Sequence, residues 1–356
     1  MRNNIILLSL SSIICIIIIE YFSYKNIKSK LENAKVDKEV FEFYYSHYQT
    51  LHHLADKPNI KWKNNLLELL YREIGKGDNI ILIQGDSWGL QFEIDKSKEM
   101  LFNISEKNNL KFIMAGNTSY SPSISTAQLT KLEEDFNILP NHIIISVDQS
   151  DIGDELCRYK DLRKKIDNKI IVQPEPVGGA LVFGVKNHLE KYRILYSGGL
   201  NTHKLIKYKI FTYKLAKLYE NYEVKCGGEN VLFKPLINGF SDEERNYLIK
   251  VIEDYINIAF SNEKLRKLFF VVHPHRRHLE GIYKENIADL VNEAIQNSNN
   301  SNLITMISPY DSIKNKDIPL DKIFVEGDAF SHLTDDYFLN HYFRNVFSTF
   351  FNESNF

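Results

Sequence analysis

The chain has 356 residues, of which 44% are hydrophobic and 25% charged. That composition excludes a disordered or low-complexity protein and suffices for one or two domains with a sizeable core. A formal net charge of −2 excludes the basic face that nucleic-acid binding normally requires, so no nucleic-acid partner is expected.

The segment Ile5 to Phe22 is almost continuously apolar, with Glu20 near its end. At about 18 residues it reaches the lower limit for a helix that spans a bilayer. Tyr21 to Lys25 follow with no small-residue cleavage site, so residues 1–24 are expected to be an uncleaved membrane anchor. Arg2 on one side and Lys25, Lys28 and Lys30 on the other leave its orientation open. Residues 25–77 read as a helical stalk. Lys and Glu alternate up to Glu42, and Tyr44, Tyr45, Tyr48, Leu51 and Leu54 form an apolar stripe at helical spacing. An amphipathic helix from Trp62 to Ile74 is stopped by Gly75 and Gly77.

From Asn79 onward, short apolar runs alternate with helical patterns. Strand Ile80–Ile83 ends at Gly85-Asp86-Ser87-Trp88 and leads to a helix over Gln91–Asn103. Strand Leu110–Ala115 ends at Gly116-Asn117 and leads to a helix over Thr126–Phe136. Strand His142–Val147 ends at Asp148-Gln149-Ser150-Asp151. This alternation predicts βαβ units, a parallel sheet and an α/β fold. The middle is less regular. It holds candidate strands at Ile170–Val172 and Tyr192–Tyr196, a Pro/Gly-rich loop from Gln173 to Gly179, and helices over Lys204–Tyr219 and Asp242–Phe260. Ser241 and Glu244 have the spacing of a capping box for the last of these. Residues of about 175–262 are therefore expected to form a helical insertion. The β/α pattern then returns with strand Leu268–Val272, helix Glu280–Gln296, strands Leu303–Ile307 and Lys322–Val325, and a terminal helix Asp335–Phe347.

Polar residues collect where these strands end, and open α/β sheets bind ligands at the carboxyl ends of their strands. Ser87 is a candidate nucleophile. A serine hydroxyl needs a base, and imidazole oriented by a carboxylate is the usual one. Asp328 and His332, in one loop after the last expected strand, supply both. The N–H groups of Ser87 and Gly116 can face a developing oxyanion, and an amide side chain beside them would complete the hole; one such donor is typically worth about 10²–10³ in rate. Each signal also has a structural alternative. Asp-Ser after a strand often caps a helix, Gly116 can serve only a tight turn, and His332 can be a polar residue at a helix start.

Other motifs carry less. His273, His275, Arg276, Arg277 and His278 crowd one strand end. No carboxylate stands with them in a metal-ligand pattern, so substrate contact with an anionic group or a salt-bridge network is expected rather than a metal. Asp151–Glu155 with Arg158 reads as a structural ion network. Gly198-Gly199 and Gly227-Gly228 lack the spacing of phosphate-binding loops. Cys15, Cys157 and Cys226 form no CxxC; a single Cys157–Cys226 bridge stays open.

The block Gly85-Asp86-Ser87-Trp88, taken with Gly116, Asp148–Asp151 and Asp328–His332 in that order, resembles the blocks of the SGNH, or GDSL-type, hydrolases. The likeness covers most of the chain after the stalk, residues 78–356. It implies a flavodoxin-like three-layer parallel sheet with Ser87 as nucleophile, His332 as base, Asp328 as its orienting acid and Gly116 as an oxyanion donor. The third block departs from the family's Gly-x-Asn-Asp. Ser150 stands in the asparagine place, and Gln149 is the alternative source of an amide. Asp328 lies one residue further from His332 than the family spacing. The resemblance implies a membrane-anchored serine esterase that needs no cofactor or metal. It would remove O-acyl groups, often O-acetyl, from a cell-envelope carbohydrate, with its catalytic domain on the extracytoplasmic side. Two alternatives remain at this stage: an acyltransferase using the same triad, and a non-catalytic or glycosyltransferase-like envelope protein whose His273–His278 cluster binds a phosphate-containing ligand.

Overall fold

The computed structural model describes residues 2–34, 38, 71–117, 119–166, 169–172, 185–226, 233–308, 310, 313 and 318–354. They divide into two compact units, Met1–Glu68 with Pro174–Lys225 and Leu69–Gln173 with Cys226–Phe356. Of the stalk expected over residues 25–77, residues 35–37 and 39–70 lie outside the described residues, with its tyrosine stripe, and so does the loop from Gln173 to Gly179.

The first unit is helical. Its helix Arg2–Ala34 runs unbroken for 33 residues, past the anchor boundary expected at residue 24. The stretch Ser9–Asn33 has a mean hydropathy of 1.4 and is long and apolar enough to cross a membrane, the profile of an anchor or of a signal sequence. Glu20, the acid that interrupts the apolar run, accepts the N–H groups of Asn201 at 2.7 Å and Thr202 at 3.0 Å. These are orphan donors at the start of the helix Asn201–Cys226. Ser23 Oγ lies 3.1 Å from Thr202 Oγ1, and the Lys30 ammonium sits 5.1 Å from the centre of the Tyr208 ring. Tyr192–Tyr196, expected as a strand, is the end of the helix Val185–Tyr196. Tyr192 and Leu195 bury one face at helical spacing, and Glu190 and Arg193 pair at i,i+3.

The second unit is built on a six-stranded sheet: β1 (Arg72–Gly75), β2 (Asn79–Gln84), β3 (Leu110–Met114), β4 (His142–Val147), β7 (Lys267–Val272) and β8 (Ile304–Ile307), in the order β1-β3-β2-β4-β7-β8. Strand β1, where a helix was expected to end, pairs antiparallel with β3. The other five strands are parallel, with Ile81 beside Phe112, Ile83 beside Ile144 and Ile144 beside Phe269. Numbered among themselves in chain order, these five read 2-1-3-4-5, so the winding reverses between β2 and β4. The strand runs are apolar throughout because both faces are covered. On one face, Phe92, Leu101, Phe338, Phe343, Phe347 and Phe350 pack on Ile81, Ile83, Phe112, Ile144 and Phe269. On the other lie the helices Pro122–Phe136, Asp242–Ala259 and Ile287–Asn297. There Tyr255 stands edge-on to Phe270, and its hydroxyl donates to Gln84 Oε1 at 2.7 Å. The capping box of Ser241 and Glu244 is present at the start of the middle helix. That helix belongs to the sheet unit, so the segment outside this unit is shorter than the insertion expected over 175–262.

Four further elements differ from expectation. The helix expected over Glu280–Gln296 begins only at Ile287. The helix after Ser87 is broken into Ser87–Gln91 and Asp95–Asn108. Ile170–Val172 does not join the main sheet; β5 (Arg163–Ile166) and β6 (Lys169–Val172) form their own antiparallel hairpin. Lys322–Val325 is not a sheet strand either. A one-turn helix, Leu320–Ile323, leads to Phe324, which bridges Leu333. Ile323 and Phe324 are buried while Val325 is exposed, so the run is too short to be covered as a strand. Cys157 is disulfide-bonded, and Cys15 is free and exposed.

Candidate active site

Strand β2 ends at Gly85, whose φ of +134° suits glycine. A Cβ there would lie 2.7 Å from Ser146 O, so the turn passes tightly over the end of β4. Asp86 then caps the next helix, its carboxylate accepting the Trp88 N–H at 2.9 Å. The strand, turn and cap together place Ser87 on the first helical residue, at the carboxyl edge of the sheet where the winding reverses.

His332 reaches the same place from the far end of the chain. Its loop is pinned at the base by Val325 N–H to His332 O at 2.8 Å and Thr334 N–H to Ile323 O at 2.9 Å. Gln91 Nε2 donates to Leu333 O at 3.0 Å, tying the loop to the helix that carries Ser87. His332 Nε2 stands 2.8 Å from Ser87 Oγ, and His332 Nδ1 stands 2.5 Å from Asp328 Oδ2. Asp328 Oδ2 also accepts the His332 backbone N–H at 2.7 Å, and Oδ1 accepts Phe330 N–H at 3.1 Å. Burial pushes the Asp328 carboxyl up, but these hydrogen bonds outweigh it and hold the group below its ordinary value. An ionised Asp328 keeps the proton on Nδ1 and turns the lone pair of Nε2 toward the serine.

Left-handed backbone turns precede both Asp328 and His332. Gly327 has φ +73° and Ser331 φ +63°, both in the left-handed region. For a serine that costs roughly 1–3 kcal/mol and persists only where the surroundings hold it. Ser331 Oγ accepts the Arg276 N–H at 3.1 Å and lies 3.2 Å from His275 Nδ1, to which it donates. His275 Nδ1 also accepts Arg277 N–H at 3.2 Å, and its own backbone N–H donates to the Tyr310 hydroxyl at 3.0 Å. Burial lowers His275 to about 3, so the ring is neutral. His275 and the Arg276 backbone thus hold the Asp328–His332 loop, while the Arg276 guanidinium pairs with Glu280 at 3.0 Å. His278 has different neighbours, the Tyr310 ring and Asn286.

The end of β3 presses against the helix that begins at Ser87: a Cβ on Gly116 would lie 2.5 Å from Gly89 C. Among the described residues, the N–H groups of Ser87 and Gly116 have no acceptor. The third strand end has other partners. Gln149 Nε2 donates to Asn286 Oδ1 at 2.8 Å, and Gln149 Oε1 accepts Ile287 N–H at 3.2 Å. Ser150 Oγ donates to Asp148 Oδ1 at 2.6 Å. Neither side chain is brought to Ser87 by these bonds.

Trp88 and the residues behind it show least in the sequence. The buried indole donates its N–H to Asp148 Oδ2. One neighbour is His273, stacked at 3.6 Å and 13°; another is His332, at 4.1 Å and 41°. His273 is fully buried, which pushes its ring well below the ordinary value, and neither ring nitrogen has a partner among the described residues. Asp86, Asp148 and Asp151 each bring an oxygen within 4.8 Å of the others. Asp148 Oδ1 accepts from Ser150 and Asp151 N–H groups, and Asp151 Oδ2 accepts Asp148 N–H at 2.9 Å, a reciprocal cap. Burial, and then repulsion among the carboxylates, pushes Asp86 and Asp151 well up; burial also raises Asp148. Carboxyls this close hold protons rather than ionise together. Most of their oxygens already accept hydrogen bonds, the arrangement of a platform beneath the site. Asp154 beside them is raised to about 7, by burial against the pull of Arg158 at 2.8 Å.

No known family model, curated protein or solved structure matches this chain.

Proposed function

We propose that the chain is a serine esterase of the SGNH, or GDSL, type, held to a membrane by its N-terminal helix, that removes O-acyl groups from a cell-envelope carbohydrate. The observation that carries this reading is the relay from Ser87 Oγ to His332 Nε2 at 2.8 Å and from His332 Nδ1 to Asp328 at 2.5 Å. The strand order 2-1-3-4-5 with a reversal between β2 and β4 is that of flavodoxin-like sheets, whose ligands sit at that reversal.

Ser87 Oγ attacks the ester carbonyl as His332 Nε2 takes its proton. The tetrahedral oxyanion faces the Ser87 and Gly116 N–H groups. Collapse breaks the bond to the sugar oxygen, which leaves with the proton from His332. Water then attacks the acyl-enzyme by the same route and releases the acid. General-base help of this kind is typically worth about 10²–10⁴ in rate. The carbohydrate is suggested by the family resemblance and by the high aromatic content. A disulfide at Cys157 belongs to an oxidising compartment, which supports an extracytoplasmic site.

The test is acetate release from 4-nitrophenyl acetate and from O-acetylated xylan by the full-length protein in detergent, beside Ser87→Ala. Loss of both activities in the variant supports the reading; equal turnover by the variant defeats it. Running the same assays with a free sugar acceptor separates hydrolysis from acyl transfer, because only transfer leaves the acyl group on the acceptor.

A further inference from the structure

We infer that Trp88 is a positioning residue for His332, its indole face fixing the tilt of the imidazole that meets Ser87. The inference rests on the triad reading above. Hydrogen bonds to Asp328 and Ser87 hold the two ends of the His332 ring, at 2.5 and 2.8 Å. They constrain its tilt weakly, because hydrogen bonds weaken steeply only at large misalignment. A face contact supplies the missing restraint. Trp88 provides one at 4.1 Å between ring centres.

The indole is itself immobile. Its backbone N–H is held by Asp86 at 2.9 Å, its ring N–H by Asp148, and His273 stacks on it at 3.6 Å. Burial keeps His273 neutral, so it adds no repulsion when His332 takes the proton from Ser87. The imidazolium then formed lies against an indole face, which attracts cations. Trp88 is also the residue after Ser87 in the same short helix. Nucleophile and base are thereby referenced to one rigid group. A tryptophan that merely filled the core would be replaceable by any apolar side chain of similar bulk without effect on turnover.

The test compares Trp88→Phe and Trp88→Leu in the full-length protein, with 4-nitrophenyl acetate as probe. Misplacing a reacting group by about 1 Å costs on the order of 10²-fold. Trp88→Leu is therefore expected to lower kcat by roughly 10–100-fold with KM within about twofold, and Trp88→Phe, which keeps an aromatic face, to recover most of that loss. Leucine retaining wild-type kcat, or phenylalanine losing as much as leucine, overturns the inference. Ser87→Ala in parallel tests the underlying reading separately: activity surviving in that variant defeats the triad, not the contact.

A second measurement needs no activity. Trp62 and Trp88 are the two tryptophans, so Trp62→Phe leaves Trp88 as the sole tryptophan, read by excitation at the red edge where tyrosine does not absorb. An imidazole packed against an indole face perturbs its fluorescence. Trp88 emission that differs between Trp62→Phe and Trp62→Phe/His332→Gln supports the contact; identical emission in the two variants overturns it.

Discussion

His332 Nε2 lies 2.8 Å from Ser87 Oγ across 245 positions of sequence. Two local devices produce this long-range meeting. A glycine turn and an aspartate cap lift Ser87 off the end of β2, and backbone hydrogen bonds at Ile323–Thr334 and Val325–His332 close the loop that carries the histidine. Neither depends on the residues between, which is why a separate helical segment can be accommodated there.

If the relay acts as a unit, its members are not additive. Ser87→Ala and His332→Ala are each expected to reduce kcat to the level of the double variant, and Asp328→Asn to lower it by roughly 10³–10⁴-fold. Steady-state kinetics on the three single variants and the double variant check this.

Gly116→Ala is expected to disable the site through the backbone. The new Cβ would lie 2.5 Å from Gly89 C and 2.8 Å from Leu90 N, so the nucleophile's helix must shift. Overpacking of this kind costs about 1–3 kcal/mol, and a displaced oxyanion donor about 10² or more in kcat. Thermal melts beside kinetics will show both losses together.

Gln149→Ala should separate stability from catalysis. The substitution removes one of the donors to Asn286 Oδ1 and the acceptor of the Ile287 N–H, leaving that buried donor unsatisfied at a cost of about 1–3 kcal/mol. With its amide engaged there, kcat is expected to change less than about threefold, well short of an oxyanion donor's share. A fall in melting temperature with turnover retained is the expected pair of readings.

Which of these features could be read in advance follows from their physics. Strands β2, β3, β4 and β7 are buried on both faces, so each announces itself as an apolar run ending in polar residues. Ser87, Asp328 and His332 could be picked out as candidates because they sit at such ends or in the loop that follows. Tyr192–Tyr196 was not, since a five-residue apolar run looks alike in a strand and on a buried helix face. Lys322–Val325 misled for the same reason. Gln149 and Ser150 could be placed at the right strand end, but their partners Asn286, Ile287 and Asp148 are tertiary. The stacking of Trp88 on His273 and His332 left no mark beyond a tryptophan next to a serine.

The acid platform sets a pH dependence of stability. Burial raises Asp154 to about 7, against an ordinary value of 3.8, and burial with mutual repulsion pushes Asp86 and Asp151 up as well. Folded protein therefore binds more of these protons than unfolded chain does, and stability falls as they are lost with rising pH. His142, His273 and His275 act in the opposite sense, because burial holds their folded values below 6.5; that contribution is complete once the unfolded histidines have lost their protons. The Asp154 contribution is lost as pH rises from about 4 to about 7. Compared by thermal melts, Asp154→Asn should gain on the unsubstituted protein across that range and hold a constant difference above it.

A Ser87 nucleophile activated by His332 can be read out by adduct mapping on the intact protein. Full-length protein treated with a fluorophosphonate, then digested and analysed by mass spectrometry, should carry the phosphonyl group on Ser87. The adduct should form far more slowly in His332→Ala and be absent in Ser87→Ala. Folded wild-type protein that takes no label, or that labels equally in Ser87→Ala, would contradict the account.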